Sequence, residues 1–133
     1  MLNSDMIKGI LLSLGKVDFH IERSDDSAIG YRTRLRLNVR AESLDFIEEL
    51  HRGLLRMGVE STVKDKEHSG RPKPILRIGG IKNLYILTEA ISDELPDAKN
   101  EWTRFRQAVD IVANRNHLTE EGMQELFRIK GVL

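Results

Sequence analysis

The sequence predicts an α+β fold with the element order α-β-β-α-β-β-α, completed by further C-terminal helices. Three observations carry that expectation. Val17 to Arg40 alternates apolar and polar residues on both sides of a turn rich in Ser, Asp and Gly, the pattern of an antiparallel hairpin with one buried face. A second, shorter pair of such segments follows Gly58. Apolar residues at helical spacing precede, separate and follow the two hairpins. With 133 residues and no linker-like stretch, the chain is expected to form one domain over 1–133.

Each element has a local reason. Ser4 or Asp5 can cap a first helix that runs to Leu14. Its apolar residues, Met6, Ile7, Ile10, Leu11, Leu12 and Leu14, wrap most of the circumference, which predicts burial on more than one side. Gly15 follows as a left-handed stop. Val17, Phe19 and Ile21 then alternate with Asp18, His20 and Glu22, and Ser24 to Gly30 forms the turn. Tyr31 to Arg40 is the second strand, with Thr33, Leu35, Leu37 and Val39 on one face. Ser43 caps a second helix carrying Leu44, Phe46, Ile47, Leu50, Leu54 and Met57, and Gly58 ends it.

Glu60 to Lys66 is expected as the third strand, His68 to Pro72 as a turn and Pro74 to Ile78 as the fourth strand. Gly79-Gly80 breaks the chain before a helix from Ile81 to Ser92, with Ile81, Leu84, Tyr85, Leu87 and Ile91 as its apolar set. Pro96-Asp97 marks a loop. Trp102, Phe105, Val109, Ile111 and Val112 define a helix from Ala98 to Asn114, with Trp102 in the core. Thr119 caps the last helix, and Glu120 and Glu121 in its first turn suit the positive end of the dipole.

Composition removes several function classes. Hydrophobic residues make up 40% and charged residues 32%, as in a folded soluble domain. No apolar run is long enough to span a membrane, and Asp5 with no basic region before Met6 to Leu14 argues against a signal peptide. The absence of cysteine excludes disulfides and thiolate metal sites and favours a reducing, cytoplasmic setting. His20, His51, His68 and His117 have no metal-ligand spacing. No Ser-His-Asp order, phosphate loop or dinucleotide fingerprint is present. Net charge is formally zero, so nucleic-acid binding would require charge segregated to one face.

The second strand offers such a face. Arg32, Arg34, Arg36, Asn38 and Arg40 recur at every second position and therefore point the same way. His20 shares the outward face of the first strand, and Lys64, Lys66 and Arg77 lie on or near the third and fourth. Arginine reads guanine edges and clamps phosphates, and asparagine suits adenine. Two readings stand: a basic surface for nucleic acid, or a solvated face whose arginines are answered by Asp18 and Glu22.

Three segments resemble the LAGLIDADG homing endonucleases, whose domains share this element order. Asn116-His117-Leu118-Thr119-Glu120-Glu121-Gly122-Met123, continuing to Ile129-Lys130, is similar to the family's terminal helix. Ile7 to Gly15 aligns with the name motif through Gly9 and Gly15. Leu76 to Leu84 resembles the fourth strand and the helix start beyond it. The resemblance implies a saddle-shaped antiparallel sheet over double-stranded DNA. It also implies a homodimer through the first helix, with Met6, Gly9, Ile10, Ser13 and Leu14 at the interface.

It further implies where catalysis would lie. The family carries a metal-holding acid at the position of Leu14 and another acid at that of Leu12. Leucine cannot ligate Mg²⁺, which requires oxygen donors. The expectation is therefore a DNA-binding protein with no catalytic residues, no metal ligands and no cofactor. Two alternatives stay open. One is a Mg²⁺-dependent endonuclease using a substitute acid such as Asp18, and the other is a protein-interaction module on the same scaffold.

Overall fold

Uninterrupted alternation over Tyr31–Arg40 builds the strand around which the molecule is organised. A computed structural model describes residues 2–92 and 101–132. Strands β1 (Lys16–Arg23), β2 (Tyr31–Arg40), β3 (Thr62–Lys64) and β4 (Ile75–Ile78) form one antiparallel sheet in the order β1-β2-β4-β3. Register places Phe19 opposite Leu35, Leu37 opposite Ile78, and Leu76 between Val39 and Val63. These side chains share the inner face, where Leu35, Leu37, Val39, Leu76 and Ile78 are buried.

Helices α1 (Ser4–Leu14), α2 (Leu44–Arg56), α3 (Ile81–Ile91), α4 (Glu101–Ala113) and α5 (Glu120–Lys130) supply the rest of the core. Ile7, Leu11, Ile47, Leu50, Leu54, Leu84, Leu87, Phe105 and Leu126 are fully or almost fully buried. Trp102 is buried as expected and meets Phe105 edge-on, with ring centres 6.2 Å apart. No helix among the described residues is long and apolar enough to cross a membrane.

Several local expectations are corrected. The cap of α1 is Asn3, whose side chain accepts from the Met6 N–H at 2.9 Å, rather than Ser4 or Asp5. The helix buries Ile7 and Leu11 but leaves Met6 and Leu14 about half exposed, at 50% and 45%. Gly15 is not left-handed; its φ is −69°. Glycine is needed there because a Cβ would lie 2.4 Å from the Leu11 carbonyl oxygen, with Leu37 and Trp102 close behind.

Strand β3 is shorter than expected, since β4 offers partners only from Ile75 onward and Pro74 has no N–H to pair. Lys66 consequently lies beyond the strand. Helix α3 ends at Ile91, and Tyr85 is exposed rather than inward. The described part of α4 begins at Glu101; the expected loop at Pro96-Asp97 and the helix start at Ala98 fall outside the described residues.

The tail is closed at both ends. A single 3-10 turn over Asn116–Leu118 leads into Thr119, whose hydroxyl accepts from the Gly122 N–H at 3.0 Å and donates to the Asn116 carbonyl at 2.7 Å. Gly131 ends α5 in the left-handed region at φ 94°. Met123 and Leu126 enter the core, and Phe127 meets Tyr31 edge-on at 5.0 Å. Lys130 donates to the Phe19 carbonyl on the free edge of β1 and covers the Phe19 ring, which ties the chain terminus to the sheet.

Candidate functional site

The outer face of the sheet is built by the residues that alternate with the core. Three cross-strand pairs, Glu22–Arg32, His20–Arg34 and Asp18–Arg36, stand side by side on β1 and β2. The next row crosses all four strands as Lys16, Asn38, Arg77 and Thr62. Arg40, Ile75 and Lys64 form the last row. Of the residues expected on this face, His20, Arg32, Arg34, Arg36, Asn38, Arg40, Lys64 and Arg77 all project from it. Lys66 lies in the exposed loop after β3.

Both readings of the arginine strand find part of their expectation here. Asp18 Oδ2 accepts from Arg36 Nε at 3.2 Å and Nη2 at 3.0 Å, and lies 3.5 Å from Arg34 Nη2. Glu22 turns instead toward His20, at 3.8 Å. Arg32 donates to the Ser24 hydroxyl, and Arg77 donates to Asn38. Among the described residues, no carboxylate pairs with Lys16, Arg32, Lys64 or Arg77. The face thus keeps an excess of cations within a chain of zero net charge. Such segregation raises the local potential without altering the total.

Arg40 and Glu67 make the strongest pair. Nε and Nη2 donate to the two carboxylate oxygens at 2.7 and 2.8 Å, a bidentate fork. The Arg40 hydrogen bond, aided by its charge and by Arg71 and His68, pulls the Glu67 carboxyl down to about 2 from an ordinary 4.5. The same hydrogen bond raises the Arg40 pKa. No sequence signal foretold this clamp, because the partners are separated by a helix and a strand. The stabilisation from Glu67 is complete above pH 4.5 and is lost as pH falls toward 2. We expect Glu67→Gln to flatten that part of the acid melting profile, read as melting temperature against pH; an unchanged acid limb would exclude the clamp as its source.

On α1, Met6, Gly9, Ser13 and Leu14 are exposed and Ile10 half-buried, along one side of the helix. The Ser13 hydroxyl donates back to the Gly9 carbonyl at 2.7 Å, so this side shows little unsatisfied polarity. A Cβ at Gly9 would meet nothing within 4 Å, so glycine there answers no contact among the described residues. Leu12 packs partly against the core. Among the described residues, no three His, Cys, Asp or Glu side chains come together in a way that could hold a metal ion.

The remaining histidines have structural surroundings. His51 Nδ1 shares a 2.7 Å hydrogen bond with the Ser61 hydroxyl and is half-buried. His68 Nδ1 accepts from the Gly70 N–H within its turn. His117 sits between α4 and α5, and burial followed by the nearby Arg115 charge lowers its pKa.

No family model matches the chain, and no curated protein does. Solved structures do. I-TnaI, a homing endonuclease, superposes with a TM-score of 0.76 over 96% of this chain and 85% of its own, at 22% identity. The archaeal intron-encoded homing endonuclease I-Vdi141I, complexed with DNA, gives 0.79 over 94% and 77% at 18% identity. The LAGLIDADG meganuclease I-CpaMI, bound to uncleaved DNA, gives 0.78 at 18% identity; all of this chain is covered, but it spans only 44% of that protein. At these identities the likeness establishes the architecture: the chain has the α+β fold of the LAGLIDADG homing endonucleases.

Proposed function

We propose that this chain binds double-stranded DNA through the outer face of its sheet, as a homodimer paired along α1, and has lost phosphodiester cleavage. The observation that carries the reading is the segregated cation excess on the polar side of this sheet. Unpaired Lys and Arg side chains release condensed counterions when phosphates replace them, which is the main source of non-specific DNA affinity. Similar folds in I-Vdi141I and I-CpaMI are seen with DNA.

Two features support pairing. The chain spans less than half of I-CpaMI, so two copies would supply one such molecule. The exposed side of α1, with Met6, Gly9, Ile10, Ser13 and Leu14, lets two helix backbones approach and gives both leucines and methionines a surface to cover. A two-fold dimer would favour a pseudo-palindromic site.

Loss of cleavage rests on Leu12 and Leu14 at the acidic positions of the motif and on the state of Asp18. Its carboxylate is engaged by Arg36 and faced by Arg34, so it serves as a charge partner of the face rather than as a free metal ligand. The same substitution separates this reading from the nuclease reading. Asp18→Asn removes a negative charge and should tighten duplex binding severalfold, while Arg34→Ala with Arg36→Ala should weaken it by on the order of tenfold or more and leave melting nearly unchanged. If plasmid is cut in Mg²⁺ and Asp18→Asn abolishes the cutting, the chain is an endonuclease and this part of the proposal fails.

A further inference from the structure

The arginines of the outer face differ in which nitrogens they have left. Arg36 gives Nε and Nη2 to Asp18, and Arg40 gives Nε and Nη2 to Glu67. A carboxylate therefore occupies the lateral edge of each guanidinium. Arg77 gives only Nε, at 2.8 Å, and to a neutral acceptor, Asn38 Oδ1. Its two terminal NH₂ groups have no partner among the described residues. They form the end-on fork that matches the O6 and N7 acceptors of guanine in the major groove.

Asn38 is the less obvious half of the pair. It stands opposite Arg77 in register and is only 7% exposed. An adenine contact needs the amide oxygen and nitrogen together in the groove, and here the side chain is nearly buried with its oxygen turned to Arg77. Sequence pattern alone offers Asn38 as an adenine reader; its burial and its hydrogen bond suit it to a support. Fixing Nε limits the freedom that a long side chain must lose on binding. Arg77 is part-exposed and borders two surface hollows, one shared with Thr62 and Asn83 and the other with Lys64 and His68.

From this we infer that Arg77 reads one guanine in each half-site and that Asn38 is its positioning residue. The inference rests on the DNA-binding reading and deepens it. Selection from a randomised duplex pool, followed by anisotropy on the selected duplex and its single-base variants, tests both separately. Wild-type chain should select a guanine whose replacement weakens binding by roughly tenfold to a hundredfold. Arg77→Ala and Arg77→Lys should both lose that preference. The lysine variant should keep its salt slope, because it retains the charge but not the fork.

Asn38→Leu should also lose the preference while keeping the salt slope and melting behaviour. Asn38→Asp should lose it as well, because a carboxylate there would take Nε together with a terminal nitrogen, as Asp18 and Glu67 do on Arg36 and Arg40. A guanine preference that survives Arg77→Ala, or that is indifferent to Asn38→Leu in a folded chain, overturns the inference and leaves DNA binding standing. A pool that yields no enrichment overturns the DNA-binding reading, and the inference with it.

Discussion

Replacing Gly122 with alanine is expected to unfold the C-terminal tail and lower the stability of the whole chain, although alanine is the better helix former. Helix propensity alone would make the substitution favourable by about 1 kcal/mol. The surroundings reverse the sign. A Cβ at Gly122 would lie 1.8 Å from the Asn116 carbonyl oxygen and 2.5 Å from its carbon, and both are backbone atoms that cannot turn aside. Relief requires moving the 3-10 turn away from α5, which breaks the Thr119 cap at both of its hydrogen bonds. It also pulls Met123 and Leu126 from the core and Phe127 from Tyr31.

A loss of about 3 kcal/mol or more follows from a combined cap and packing defect of this kind. That corresponds to a fall in melting temperature on the order of 10 °C for a domain of this size. Gly131→Ala provides the contrast. Its φ of 94° is left-handed but its surroundings are open, so the cost should stay near 1 kcal/mol. Thermal and urea unfolding followed by circular dichroism measures both. Gly122→Ala melting at or above the wild-type temperature would mean that the turn does not sit against the helix as described.

The second large effect concerns assembly and uses a glycine with the opposite surroundings. A Cβ at Gly9 meets nothing within 4 Å among the described residues, and Gly9→Glu replaces a poor helix former with a good one on an exposed position, so the isolated protomer should be unharmed or slightly stabilised. In a dimer paired along α1 the same change places two carboxylates against each other near the two-fold axis. Uncompensated buried charge of that sort costs several kcal/mol. Sedimentation velocity should find wild-type chain dimeric at micromolar concentration and Gly9→Glu monomeric, with melting no lower than that of the wild-type protomer. A wild-type monomer at that concentration, or a Gly9→Glu dimer, removes α1 as the pairing surface.

Where local rules operate without competition, the sequence was legible to the residue. The bounds of Tyr31–Arg40 can be read from the sequence because its alternation is unbroken and a glycine turn precedes it. Ser43 and Thr119 are legible as caps, and their side chains accept from the Phe46 and Gly122 N–H groups. At the first helix, Asn3, Ser4 and Asp5 are three consecutive capping residues, and propensity could not choose among them. Gly15 is legible as a stop but not for its reason, since its constraint is the close approach of the Leu11 carbonyl oxygen, backed by Leu37 and Trp102 from distant elements.

The outer face was legible as a list of side chains and not as an electrostatic arrangement. Strand periodicity gave the direction of Arg32 through Arg40. It could not reveal that β4 lies between β2 and β3, which brings Arg77 to Asn38, or that the β3–β4 loop returns Glu67 to Arg40. Those pairings depend on register between hairpins separated by α2, a property of tertiary packing. They decide which cations are left without a carboxylate.

Whether those cations meet DNA is measured most directly by titrating a labelled duplex with wild-type chain at a series of salt concentrations. Binding should be clear at low salt, and the logarithm of the association constant should fall linearly with the logarithm of salt concentration, by about 0.9 for each phosphate contacted. Arg32→Ala, which removes a guanidinium with no carboxylate partner, should shallow the slope by about one unit per chain. Absence of binding at low ionic strength, or affinity indifferent to salt, would contradict a DNA-binding role for the outer face.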